Sequence, residues 1–174
     1  MLRLIIICGR SFAGKTTLAG LVARRFEYSQ VDVDETKSDL FGEDVDDGTL
    51  TSANWKRIYR ETDARIEHYL ESGQSVVDAS RNFTLSERER ARRIAAKHNA
   101  KTVTILVDTP VQVTRERLLA NRKTNERRDV SDENFEAILA VWEPPTGAEH
   151  PLVLTFPDDA ANWLERNARE LGDI

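Results

Sequence analysis

Cysteine occurs once in the 174 residues, at Cys8, so no internal disulfide can staple the chain. Its place at the end of an apolar run reads as a small core residue rather than a reactive thiol. Histidine is almost as scarce: His68, His98 and His150 lie far apart with no metal-ligand spacing and are read as structural or exposed. No run approaches the roughly 20 apolar residues of a membrane span. The apolar N-terminus is also cut off after a few residues, which argues against a cleavable signal and leads us to expect a cytoplasmic protein without a membrane partner. Neither sign of charge dominates: 25 basic against 30 acidic residues give a formal charge of −5 and a pI near 5.3. There is thus no global attraction to nucleic acid, and only a local patch could serve one. Internal repeats and low-complexity tracts are missing.

With 40% hydrophobic residues, the chain is long enough for one domain, 1–174, with a sizeable core. Apolar and periodic segments alternate. Strands are predicted at 3–8, 27–33, 75–79, 102–107 and 151–155, three of them rich in Ile and Val as in strands covered on both faces. Helices are predicted at 15–25, 52–72, 86–98, 111–121, 131–141 and 158–170. Ser86 with Glu89 fits a capping box, Ser131 is a weaker cap, Gly73 stops the long helix, and Pro157 with Asp158 opens the last one. In that last helix Ala160, Trp163, Leu164 and Ala168 form an apolar stripe.

The run Gly9-Arg10-Ser11-Phe12-Ala13-Gly14-Lys15-Thr16 fits G-x-x-x-x-G-K-[ST], after an apolar strand and before a helix. A glycine-rich turn can aim several backbone N–H groups at one point, and the helix behind it adds its positive end. Lys15 then meets the β/γ-phosphates, the Thr16 hydroxyl ligates Mg²⁺, and Thr17 continues the same ATP-binding segment. The expected fold is therefore α/β: a three-layer P-loop nucleotide-binding fold with a five-stranded parallel sheet and a helical lid at about 115–130.

Two acidic strand ends point to phosphoryl transfer. Asp32 and Asp34 are predicted to share a side at the end of the second strand, facing the ligand crevice. Asp34 is our preferred residue to accept or orient the proton of an acceptor hydroxyl; for Asp32 a plain acidic turn competes, leading into Asp39, Glu43, Asp44, Asp46 and Asp47. Asp78 ends the third strand and is the candidate for the water shell of Mg²⁺, with a turn or cap aspartate as the alternative. Ser80, Arg81 and Asn82 follow where a loop would meet substrate, and Arg81 is retained as a substrate-binding candidate.

A third region carries Arg115, Arg117 and Arg122, followed by Arg127 and Arg128. Guanidinium groups on a segment that closes over the nucleotide can neutralise charge on the moving phosphoryl group and exclude water. Arg122 is the preferred lid arginine, while solvation of an exposed helix is the bland alternative. Trp55 and Tyr59 are read as packing residues, as is the stripe Phe135, Ile138, Leu139 and Trp142.

These motifs together resemble the small P-loop kinases that include the predicted AAA-type ATP-binding kinases and the kinase domain of polynucleotide kinase. The likeness covers the loop 9–16, Asp34 with Lys37 and Leu40-Phe41-Gly42, Val76-Val77-Asp78-Ala79, the segment 117–122, and Trp142-Glu143-Pro144-Pro145 with Glu149. It implies Asp34 as the acceptor-activating residue, Lys37 against the acceptor, Arg122 as the lid arginine, and the 143–149 loop as a wall near the base. Lys37 stands where relatives tend to carry arginine, replacing a planar fork by a point charge. The implied function is transfer of the γ-phosphoryl group of ATP to a hydroxyl of a small molecule or a nucleic-acid end, though net charge gives the latter no support and oligomeric state is left open. A GTPase would need an Asn-Lys-x-Asp segment, and Val107-Asp108-Thr109-Pro110 has no lysine. The alternative of another class is a nucleotide-binding regulatory or interaction protein with little transfer.

Overall fold

The computed structural model describes residues 1–124, 126 and 129–172. Arg127 and Arg128, the additional lid candidates, lie outside the described residues.

The strand β1 (Arg3–Cys8) is apolar at every position after the first, and Leu4 through Cys8 are wholly buried. Alternation sends Ile5 and Ile7 to one face and Leu4 and Ile6 to the other. A strand of this kind must be covered on both sides, and burial of each such side chain stabilises by roughly 1.5–3 kcal/mol. Helix α1 (Lys15–Phe26) covers the first face with Leu18, Ala19 and Val22. The same layer includes α7 (Ala160–Arg166), through Trp163 and Leu164, and α8 (Ala168–Leu171), through Leu171. The opposite layer is α3 (Ser52–Glu71), through Ile66 and Leu70, with α4 (Leu85–Lys97), through Ala91, Ile94 and Ala95.

Between the layers lie β2 (Ser29–Val31), β3 (Val76–Asp78), β4 (Lys101–Asp108) and β5 (Leu152–Thr155). With β1 they make a five-stranded sheet in the order β2-β3-β1-β4-β5, and every pairing is parallel. Ile5 of β1 stands beside Val77 and Val103. The expected three-layer architecture with a five-stranded parallel sheet is therefore present. The remaining helices are α2 (Val33–Phe41), α5 (Val111–Thr124) and α6 (Asp132–Val141).

Three local expectations change. The second strand stops at Val31 rather than at residue 33, because Asp32 caps α2 by accepting the Asp34 N–H at 2.8 Å. Asp34 and Glu35 follow in the acidic first turn, where the helix dipole favours them. Asp32 and Asp34 thus occupy a helix start, and strand alternation does not relate them. The capping box of α4 is Thr84 with Glu87, two residues before the predicted pair. The last helix is capped by Asp159 and divides at Asn167. Ser131 does cap α6, accepting from Asn134 N–H, and Gly73 takes φ +80° just after α3.

Candidate active site

The turn from β1 to α1 is built from glycine geometry. A Cβ on Gly9 would lie 2.9 Å from the Val107 carbonyl oxygen, and Gly14 sits at φ +112°, so neither position accommodates a side chain without strain. Phe12 between them is also left-handed, at φ +59°. Gly14 is the N-cap of α1, without a side-chain cap and without an acidic residue in the first turn. The helix start therefore presents N–H groups and positive dipole to an anion. Lys15 curls back over the loop, donating to the Gly9 and Arg10 carbonyls at 2.8 and 2.9 Å.

The loop is braced from the C-terminal end of β4. Thr109 Oγ1 donates to the Ala13 carbonyl at 2.8 Å, and Arg10 reaches the Thr109 carbonyl at 3.3 Å while lying over the Trp142 ring. Arg117 of α5 donates to the carbonyls of Phe12 and Ala13 at 3.1 and 3.0 Å and lies over the Phe156 ring.

A cleft opens on each side of the loop. One, of about 470 Å³, runs past Gly14 and Thr17 between Arg117 and Phe156. The other, of about 540 Å³, brings together Lys15, Thr16, Asp32, Asp34 and Arg81. Its far walls are Trp55 and Tyr59 of α3 and Ile138 and Val141 of α6. Asp34 is largely exposed there. Burial pushes the Asp32 carboxyl up to about 6, with the charges of Asp34 and Asp78 adding to the rise and the Asp34 N–H and Lys15 opposing it.

Other candidates stand elsewhere. Lys37 is buried, with its ammonium 2.7 Å from Asp47 and 3.2 Å from Asp34 and lying over the Trp55 ring. Asp78 is wholly buried and accepts from Ser80 N–H at 2.9 Å and from the Asn82 amide at 3.0 Å. Among the described residues no group of three or more His, Cys, Asp or Glu is placed to hold a metal. Arg122 is engaged by acids: it pairs with Asp129 at 3.1 Å and Asp132 at 2.8 Å and donates to the Val130 carbonyl. The 143–149 loop is fastened to α4. Buried Arg88 makes a two-pronged pair with Glu149 at 2.8 and 2.9 Å and donates to the Glu143 carbonyl, and Arg92 also pairs with Glu149. Burial alone would raise the Glu149 carboxyl, but these two guanidinium groups and the Thr146 N–H hold it down at about 2. The cleft beside Gly14 is walled by Arg117 and Phe156, where the resemblance implies the 143–149 loop.

Arg117 belongs to the third region of the sequence, where Arg122 is the preferred arginine, yet it is Arg117 that touches the loop. Trp55 and Tyr59, expected as packing residues, line a cleft. The buried stripe of α3 is Ile58, Thr62, Ile66 and Leu70, and the aromatic pair lies half-buried beside it, with ring centroids 5.7 Å apart.

A glycine-built loop at the carboxyl edge of a parallel sheet, flanked by two clefts, defines a P-loop kinase-like fold. The chain belongs to the AAA domain family, whose model matches residues 4–145. Solved structures repeat the architecture with different partners. The APS kinase CysC of Mycobacterium tuberculosis, in complex with AMPPNP and APS, is 18% identical with a TM-score of 0.68, over 98% of this chain and 96% of that one. A gluconokinase from Sinorhizobium meliloti 1021 is 18% identical with a TM-score of 0.66, over 97% and 91%. A chain of the Pnkp1/Rnl/Hen1 RNA repair complex is 18% identical with a TM-score of 0.66, over 80% of this chain and 43% of its own length. The likeness to polynucleotide kinase is thus one among several, and at such identities it concerns the fold. Among curated proteins nothing matches the chain significantly. Among the described residues no helix is long and apolar enough to cross a membrane.

Proposed function

We propose that this protein transfers the γ-phosphoryl group of ATP to a hydroxyl of a small molecule. The observation that carries this reading is the cleft in which Lys15 and Thr16, at the head of α1, meet Asp32, Asp34 and Arg81. Phosphoryl transfer is mainly a matter of positioning and charge, and these residues supply both. The uncapped start of α1 holds phosphate oxygens, and Lys15 exchanges its contacts with the Gly9 and Arg10 carbonyls for the β/γ-phosphates. The base rests in the other cleft, between Arg117 and Phe156. Exposed Thr16 would hold a magnesium ion at the head of α1, and the ion would neutralise phosphate charge; Asp78, wholly buried and bonded to Ser80 and Asn82, would reach it only through water. One or two protein oxygens beside phosphate and water are the usual set for magnesium, so a cage of carboxylates is not needed.

On the acceptor side Asp34 accepts or orients the hydroxyl proton, since it is exposed to the cleft and in the first turn of α2. Lys37 braces Asp34 from below. Arg122 serves closure only after leaving Asp129 and Asp132, an exchange of carboxylate for phosphate partners that exposed ion pairs permit at small cost.

The test replaces Asp34 by Asn and follows label from γ-labelled ATP into metabolite-extract products. Mg-ATP affinity by calorimetry should persist while transfer falls by about 100-fold. Full transfer by D34N would move the role to Asp32, and absence of any acceptor-dependent product would defeat the kinase reading.

A further inference from the structure

The acceptor cleft has a chemical character that the P-loop itself does not require. Opposite Lys15 it is lined by two aromatic side chains of α3, Trp55 and Tyr59, and by Ala137, Ile138 and Val141 of α6. Ile138 is half-buried and Val141 is 52% exposed, an apolar wall facing open space rather than core. Its volume, about 540 Å³, suits a small organic molecule.

The charges in the same cleft are unfavourable to an anion. Arg81 stacks 3.5 Å above the Tyr59 ring and has Glu87 3.4 Å from its Nε. Lys37 is enclosed beneath Asp34 and Asp47. Both cations of the acceptor side are therefore already opposed by carboxylates, and Asp32, Asp34 and Asp47 line the cleft together. An acceptor carrying phosphate or carboxylate would meet these acids and the ATP phosphates, against one guanidinium among the described lining residues, Arg81, whose charge Glu87 already offsets.

We propose that the acceptor is a small alcohol with an aryl or branched-alkyl body and no anionic group, seated between Trp55 and Ile138 with its hydroxyl toward Asp34. This rests on the kinase reading of the cleft. Amine-bearing members are accommodated as well as neutral ones, because the acids attract a cation. Nucleic-acid ends and sugar acids are disfavoured by the same acids.

Matched probes test it on the full chain saturated with magnesium and AMPPNP. 3-Phenylpropane-1,2-diol and 3-phenyllactate share one body and differ by a hydroxymethyl group against a carboxylate; a dinucleotide with a free 5′-hydroxyl represents a nucleic-acid end. By calorimetry the diol should bind at least about tenfold more tightly than either anion. Trp55→Ala and Ile138→Ser, checked by circular dichroism, should each weaken the diol by about tenfold. Ile138 is half-buried on α6, so I138S tests the wall even if W55A disturbs α3. Equal or tighter binding of phenyllactate or the dinucleotide overturns the proposal, as does diol binding that is absent or indifferent to both substitutions. Transfer of label from γ-labelled ATP to the diol is scored separately. Wall-dependent binding of the diol without labelled product supports the cleft's preference for an apolar, uncharged body, while the kinase reading is decided by the metabolite-extract assay.

Discussion

Lys15 donates to two carbonyls of its own loop, so its ammonium is already held at the head of α1 where a phosphate would lie. A cation whose interaction strengthens as charge shifts acts mainly on the chemical step. Lys15→Ala should therefore lower turnover by on the order of 100-fold, about 3 kcal/mol of transition-state stabilisation. Calorimetry with Mg-ATP beside steady-state kinetics measures both effects, and unchanged affinity and turnover would remove Lys15 from the site. Asp32 gives a second, independent readout. Its folded value of about 6 lies above the ordinary 3.8, so the folded state holds the proton more tightly than the unfolded one. Stability from this group is present below pH 4 and is lost as pH rises toward about 6. Asp32→Asn keeps a good helix cap and removes the ionisation. The variant should melt a few degrees higher than the parent at pH 7 and lose that difference near pH 4, as followed by circular dichroism.

At the scale of elements, α4 illustrates how a helix start is chosen. Thr84 and Ser86 both precede an acid by three residues, yet the box closes at Thr84, whose Oγ1 accepts the Glu87 N–H while Glu87 accepts the Thr84 and Phe83 N–H groups. Tertiary bonds decide: Glu143 accepts the Leu85 N–H, and Arg88 must face Glu149. Thr84→Ala should cost about 1 kcal/mol, whereas Ser86→Ala should be close to neutral. Urea denaturation of the two variants distinguishes the assignments, and the reverse order of cost would reinstate the Ser86 box. Helix α5 shows the same dependence on context. On α5, Arg117 reaches the Phe12 and Ala13 carbonyls while Arg122, little more than a turn later, faces Asp129 and Asp132.

Across the whole molecule, the Arg88–Glu149–Arg92 group ties the chain after α6 to the layer formed by α3 and α4. Glu149 is depressed from 4.5 to about 2, so its stabilisation is fully present above pH 4.5 and is lost as pH falls toward about 2. Glu149→Gln leaves buried Arg88 without its anion and should cost roughly 3–5 kcal/mol at pH 7. The variant should also lack part of the acid destabilisation between pH 4.5 and 2, measured by urea denaturation at stepped pH. An unchanged acid profile would show that the pair carries no such linkage.

The whole-molecule view also separates what is written locally from what is not. The phosphate loop is legible because its chemistry is consecutive: Gly9 and Gly14 are required by backbone geometry, and Lys15 and Thr16 follow at the head of the helix they serve. The sheet is legible because β1 is apolar on both faces and β3 and β4 carry runs of valine, isoleucine and leucine, a pattern contained in each strand. The cleft of Asp32 and Asp34 is different. Asp32 read as a strand end and proved to be a cap, since a cap depends on where the chain turns, and β2 is only three residues long. Lys37 read as a substrate contact and lies buried beneath Asp34 and Asp47, while Trp55 and Tyr59 read as packing and line the cleft. Their surroundings are assembled from α2, α3 and α6, which are distant in the chain, and the side of a helix that meets a cleft depends on how those elements dock. Backbone conformation in a glycine turn and the apolar pattern of a strand are set by neighbouring residues, so the amino-acid order determined the loop and the layered sheet; helix starts and the partners of each charge across a cleft are set by packing, so only the tertiary structure decided the character of the cleft.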